Sequence, residues 1–198
     1  MYNLKYISLL NSEIKCISSY AFKDCINLCS VDLPNNLRRI NKGAFLNCKS
    51  LSSILISSNV NYIGTAAFEN CTELNTVCFG INNMTVIDKY AFRNCKSLKY
   101  IQLPRNINEI SVPIFEDCFN LTTIGISQNL FDKYGKNILN RLGLSNDFTI
   151  KDWDYIDNNT IYEDTERKFG LTYDEMKLRF KDSDIILYTI PKNIKYTL

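Results

Sequence analysis

Apolar residues recur in a fixed order along the first two thirds of the chain, with polar residues filling most positions between them. One full unit reads Leu37, Ile40, Ala44-Phe45, Cys48, Leu51, Ile54 and Ile56. The alternating pair at its end predicts a short strand with one buried face. Its equivalents elsewhere are Ile7/Leu9, Val31/Leu33, Val77/Phe79, Ile101/Leu103 and Ile124/Ile126. A second apolar pair, spaced by three, precedes each phenylalanine: Ile14/Ile17, Leu37/Ile40, Val60/Ile63, Met84/Ile87 and Ile107/Ile110. That spacing predicts a bent or short extended segment. Between the two pairs, Ala-Phe-x-x-Cys-x-x-Leu has landmarks three apart, which predicts a helical or 3₁₀ turn.

The order repeats at a near-constant period. Phe22, Phe45, Phe68, Phe92 and Phe115 are separated by 23, 23, 24 and 23 residues. Pro34, Pro104 and Gly80 close strands, and the extra residue at Gly80 accounts for the longer interval. A period of about 20–29 residues with Leu/Ile landmarks predicts stacked coils, each adding one strand to a parallel sheet. A single coil cannot bury its own apolar face, so stacking must join the phenylalanines into one continuous spine.

The pattern I-x-x-I-x-x-x-A-F-x-x-C-x-x-L-x-x-I-x-L-P resembles the BspA-like class of leucine-rich repeats. The resemblance covers residues 1–130, as five full repeats and a degenerate N-terminal half-repeat. It implies a leucine-rich repeat solenoid with short parallel strands, used for protein or matrix recognition. Relatives of this kind are often surface or secreted adhesins. The last unit drifts, with Ile114 in place of Ala and Val112-Pro113 breaking the turn, as expected of a capping repeat.

Residues 131–198 are expected to form a small α+β cap or tail module and resemble no family. Leu130, Tyr134, Ile138, Leu139 and Leu142 have helical spacing, predicting a helix over 131–144 with Gly143 as its stop. Residues 146–167 read as a polar, acidic loop that Trp153 and Tyr155 could anchor. Thr172-x-x-Glu175 is a capping box that opens a helix at Tyr173–Lys181. Residues 185–190 read as a strand ended by Pro191.

Composition narrows the chemistry. The chain has 198 residues, a net charge of +2 and no histidine, so the commonest general base and metal ligand is absent. Residues 1–130 carry 12 Lys/Arg against 9 Asp/Glu, and residues 131–198 carry 11 against 12. Neither balance is that of a nucleic-acid binder. Arg38, Arg39, Lys42, Arg93, Lys96 and Lys99 add local positive charge among acidic neighbours. No apolar run reaches the ~18 residues of a membrane span. The first residues lack the features of a signal peptide. An intracellular location is therefore expected, or a surface or secreted one if the chain is a fragment.

Eight cysteines are present. Five share one repeat position, and they read as compact packing residues. Equivalent residues on neighbouring coils stand about 4.8 Å apart, beyond the ~3.5–4.5 Å a disulfide wants between Cβ atoms. Cys78 lies between Val77 and Phe79, so it is expected to point outward and react first. Sequons occur at Asn70, Asn83, Asn120 and Asn158. No catalytic residues, cofactor or metal site are expected.

The remaining candidate is the outward strand face. Its columns are Ser8, Asp32, Leu55, Cys78, Gln102, Gly125 and Tyr6, Ser30, Ser53, Thr76, Tyr100, Thr123. They are largely uncharged, with some aromatic and apolar surface. A non-enzymatic scaffold or adaptor docking a protein there is the expected function. A surface adhesin, or a structural component of a virion or ribonucleoprotein assembly, is the alternative. The partner's identity and the oligomeric state do not follow from the sequence.

Overall fold

Each predicted coil contributes two short strands joined by a tight turn. The computed structural model describes residues 3–80, 86–104, 107, 109–135, 137–144 and 149–151. The strands are β1 (Tyr6–Ser8), β2 (Cys16–Ile17), β3 (Ser30–Asp32), β4 (Arg39–Ile40), β5 (Ser53–Ile56) and β6 (Tyr62–Ile63). They continue as β7 (Thr76–Phe79), β8 (Val86–Ile87), β9 (Tyr100–Gln102), β10 (Glu109–Ile110) and β11 (Thr123–Gly125). Two helices, α1 (Gln128–Tyr134) and α2 (Asn137–Leu142), precede β12 (Thr149–Lys151).

All pairing among these strands is parallel. The even-numbered strands from β2 to β10 form one five-stranded sheet in the order β10-β8-β6-β4-β2. The odd-numbered strands stack as β1-β3, β5-β7 and β9-β11, with β12 added beyond β11, and with β3 beside β5 and β7 beside β9. The register joins equivalent landmarks, as in Ile54↔Val77 and Ile17↔Ile40↔Ile63. Most landmarks are buried between the two layers, with Phe79 half-buried. In the terminal half-coil Ile7 and Leu9 are half-buried and Ile14 is exposed, because no coil covers them.

The phenylalanine spine is a stack of rings. Successive centroids from Phe22 to Phe92 are 5.2 Å apart with interplanar angles of 12°, 7° and 2°. Phe92 and Phe115 follow at 5.8 Å. The Phe22, Phe45 and Phe68 N–H groups each donate at 2.8 Å to the carbonyl of the alanine one coil on (Ala44, Ala67 and Ala91), and Phe92 donates to that of Ile114 at 3.2 Å. The ring spacing and the backbone ladder thus share one coil-to-coil translation.

The turn holding each phenylalanine is not the helix its spacing allows. Local bonds span three residues, as from the Cys25 N–H to the Phe22 carbonyl at 3.1 Å and from Leu28 to Cys25 at 3.0 Å. Two left-handed residues in each of the first four coils, and one in the fifth, keep those turns from joining. One set is Tyr20, Gly43, Ala66 and Tyr90, with φ between 57° and 61°. The other is Asp24, Asn47, Asn70, Asn94 and Asp117, with φ of 60°, 63°, 61°, 57° and 62°. Asn and Asp tolerate this region best among non-glycine residues.

The far end is closed differently from the sequence expectation. The single helix expected over 131–144 is two, because Gly135 takes φ 56° and donates to the Phe131 carbonyl at 2.6 Å. Ser127 caps α1, its hydroxyl accepting from the Leu130 N–H at 3.4 Å. Leu130, Ile138, Leu139, Leu142 and Leu144 are buried against the solenoid core. The Leu142 carbonyl accepts from the N–H groups of Ile114 and Phe115 at 3.2 and 2.9 Å. It stands in for the alanine carbonyl a further coil would supply. The expected loop over 146–167 includes a strand: β12 extends the β9-β11 sheet with Ile150 opposite Ile124. Trp153, Tyr155, the helix at Tyr173–Lys181 and the strand over 185–190 lie outside the described residues, as does Met84.

Candidate protein-docking surface

The strand face is built by the alternation within β1, β3, β5, β7, β9 and β11. Register aligns Tyr6 with Ser30, Ser8 with Asp32, Ser53 with Thr76 and Leu55 with Cys78. At the far end it aligns Tyr100 with Thr123 and Gln102 with Gly125. The register thus aligns the predicted positions pairwise, within β1-β3, β5-β7 and β9-β11.

Their exposure is graded. Tyr6 is 55% exposed, and its hydroxyl donates to the Asp32 carboxylate at 2.5 Å. Ser30, Asp32, Ser53, Leu55 and Cys78 are half-buried. Three members, Thr76, Gln102 and Gly125, depart from the outward expectation by being buried. Thr76 is 1% exposed, its hydroxyl donating to the Asn75 side-chain oxygen at 2.8 Å. Gln102 is 9% exposed and lies across Gly125, where an added Cβ would stand 3.0 Å from the Gln102 Cγ. Among the described side chains the accessible part of the face lies between Tyr6 and Cys78. For Tyr100 and Thr123 the backbone register alone is described.

The cysteines fall into two environments. Cys16 and Cys29 are exposed, whereas Cys78 is half-buried, so Cys78 is not the most accessible thiol. The sequence reading failed there because Leu55 and the neighbouring strands flank it. All eight are free thiols. Cys48, Cys71, Cys95 and Cys118 each donate through Sγ to a phenylalanine carbonyl one coil back, at 3.1, 3.3, 3.3 and 3.0 Å. A cysteine here fills a small apolar gap and supplies a weak donor at once. Burial pushes the Cys48 thiol up to about 12 and those of Cys71 and Cys95 well above their usual range. These thiols are inert as nucleophiles, since the thiolate is the reactive form. Among the described residues no cluster of three His, Cys, Asp or Glu side chains could hold a metal ion.

Two features escaped the sequence reading. The side chains at the second left-handed position form a ladder, Asn94→Asn70→Asn47→Asp24, through donors at 2.6, 2.8 and 2.6 Å. The signal was present as A-F-x-N/D-C. Asn70 is therefore a poor glycan acceptor, because its Nδ2 is already committed. The second feature is the separation of charge. Arg93 sits among Glu116, Asp117 and Glu69 at 2.8, 3.4 and 3.6 Å. Among the described residues Arg38, Arg39 and Lys42 form no ion pair.

Stacked coils with paired parallel sheets and a phenylalanine spine define a leucine-rich repeat solenoid. The family model for the BspA type leucine rich repeat region, in 6 copies, matches residues 1–85 and 80–169. The chain belongs to the BspA-type leucine-rich repeat family. Its fold is similar to that of a leucine rich repeat protein from T. pallidum, with a TM-score of 0.56, 23% identity, and coverage of 74% of this chain and 68% of that one. It is also similar to a leucine-rich repeat protein from Eubacterium ventriosum, with a TM-score of 0.54 and 24% identity, covering 62% of this chain and 35% of that one. No curated protein sequence matches the chain. The family implies a protein-interaction or adhesin-like role, and its members are generally non-enzymatic. No described helix is long and apolar enough to cross a membrane.

Proposed function

We propose that the chain is an intracellular scaffold or adaptor that docks a protein on the strand face of its solenoid. Residues 1–130 act as the binding module and residues 131–198 as its cap. The observation that carries this reading is the half-buried, uncharged group Ser30, Ser53, Leu55 and Cys78 on β3, β5 and β7, within which Leu55 is aligned with Cys78. Such a surface loses little on desolvation, and a rigid sheet presents it without an ordering cost. The free thiols support a reducing compartment, because structural disulfides are a mark of secreted proteins. The test is a pair of charge insertions, Ser53→Arg and Leu55→Asp, each checked for native circular dichroism. Binding partners captured from the source cells by the wild-type protein should be lost from both variants. Retention of every partner by both variants would overturn the assignment to this face.

A further inference from the structure

The second sheet carries at its N-terminal end a basic cluster that no described carboxylate neutralises. Lys15, Arg38, Arg39 and Lys42 are exposed. The Arg38 N–H donates to the Lys15 carbonyl at 2.8 Å, and Arg39 pairs with Cys16. The four cations therefore belong to two adjacent coils, about 4.8 Å apart. The described ion pairs use none of these four cations: Lys23, which shares the Tyr20 ring with Lys42, pairs with Asp24, and the others surround Arg93. Glu13, the acid nearest in sequence, accepts a hydrogen bond from Asn36. The balance changes along the chain: residues 1–66 carry 7 Lys/Arg and 3 Asp/Glu, and residues 67–127 carry 5 and 6.

Two of these cations are held in place by aromatic faces. The Arg39 guanidinium lies 4.1 Å from the centre of the Tyr62 ring, and the Lys42 ammonium 5.9 Å from that of Tyr20. Gly43 makes the second arrangement possible, because an added Cβ would stand 2.5 Å from the Tyr20 ring. A guanidinium resting on a ring keeps its N–H edge free for a carboxylate, and its preorganisation lowers the ordering cost of a two-pronged contact. The adjacent strand β2 ends its sheet, so an extended chain can lie alongside it.

We propose that this cluster is a second docking surface, which takes an extended, carboxylate-rich segment of a protein partner. A nucleic acid fits poorly. The cations span two coils, the net charge is +2, and the Tyr62 and Tyr20 rings already carry Arg39 and Lys42, so they do not offer open faces for stacked bases. The surface is separate from the strand face and stands independently of it.

Fluorescence anisotropy with a labelled glutamate-rich peptide tests the proposal, beside a lysine-rich peptide and a single-stranded DNA of equal length. The wild-type chain should bind the acidic peptide, more weakly as salt is raised, and bind the DNA less well. The double variant Arg38→Glu/Arg39→Glu should lose at least about tenfold in affinity. Lys42→Glu should lose affinity in the same direction. Lys96→Glu and Leu55→Asp should bind the acidic peptide as the wild type does, the latter separating this surface from the strand face. Unchanged binding by a folded double variant overturns the proposal. So does tighter binding to DNA through the same residues, or self-association of the chain through the patch without peptide binding.

Discussion

Asn70 donates its side-chain amide to the Asn47 side-chain oxygen at 2.8 Å, from the same left-handed turn position one coil later. Every donor in this ladder points toward the N-terminus, so the terminal member must only accept, and Asp24 does. At the other end Asp117 cannot donate to Asn94, so its carboxylate turns to the Arg93 Nε at 3.4 Å. The acid at Asp24 and the amides between follow from that polarity, whereas Asp117 stands outside the ladder.

Asn70→Asp should therefore destabilise the solenoid. The change replaces a donor by an acceptor opposite the Asn47 oxygen, which costs about 1–3 kcal/mol. The introduced carboxyl would hold its proton more tightly in the folded state than in the unfolded state. The penalty should grow as pH rises through the carboxyl range and shrink in acid, where the proton restores a donor. Urea melts at acid and neutral pH measure this, and equal midpoint shifts at both would refute the ladder as a stabilising element.

Phe68→Ala should remove a fully buried ring flanked by Phe45 and Phe92 at 5.2 Å on either side. The expected loss is about 3–5 kcal/mol. Thermal melts should show it as a large drop in Tm or as loss of the folded state. A shift below about 1 kcal/mol, the ordinary effect of a point change, would contradict a cooperative spine.

Thiol labelling of native protein should modify Cys16 and Cys29 first, Cys78 more slowly, and Cys48, Cys71 and Cys95 only on unfolding. The buried thiols also carry a pH signature. Burial raises their folded pKa above the ordinary thiol value of 9.0, so the unfolded chain loses those protons first. Stability should be complete below about pH 9 and fall as pH rises above it. Replacing Cys71 by Ala should flatten that alkaline slope, and an unchanged slope would exclude this thiol as a contributor.

Truncation after Ser127 should give aggregated protein, because it strips Leu142 from the Ile114 and Phe115 N–H groups and exposes the end of the core. Truncation after Leu144 restores those bonds and should recover solubility. Retaining residues to Lys151 should add stability, since β12 covers the edge of β11. Size-exclusion profiles and melts of the three lengths distinguish the steps. A monomeric shortest form, as stable as the others, would show that α1 and α2 are not a cap.

The repeated apolar landmarks determined the coil, its period and the face each residue buries. A stack of equivalent units leaves no other way to cover Phe22, Phe45, Phe68 and Phe92, so pattern alone carried the fold. The sequence also contained the Asn of each turn. Its meaning depended on a left-handed backbone that no spacing encodes, so the ladder emerged only when coils were superposed. Gly135 split a helix that the apolar stripe had left whole, because the stripe records which face is buried and not where the backbone turns. Burial along the strand face was likewise a tertiary outcome: alternation places Thr76, Cys78 and Gln102 outward, but neighbouring coils decide what reaches solvent. The same holds for charge. Arg93 and Arg39 read alike in sequence, yet one is surrounded by three carboxylates and the other rests on Tyr62. Coulomb partners are set by which coils lie side by side, a distance that only the folded stack fixes.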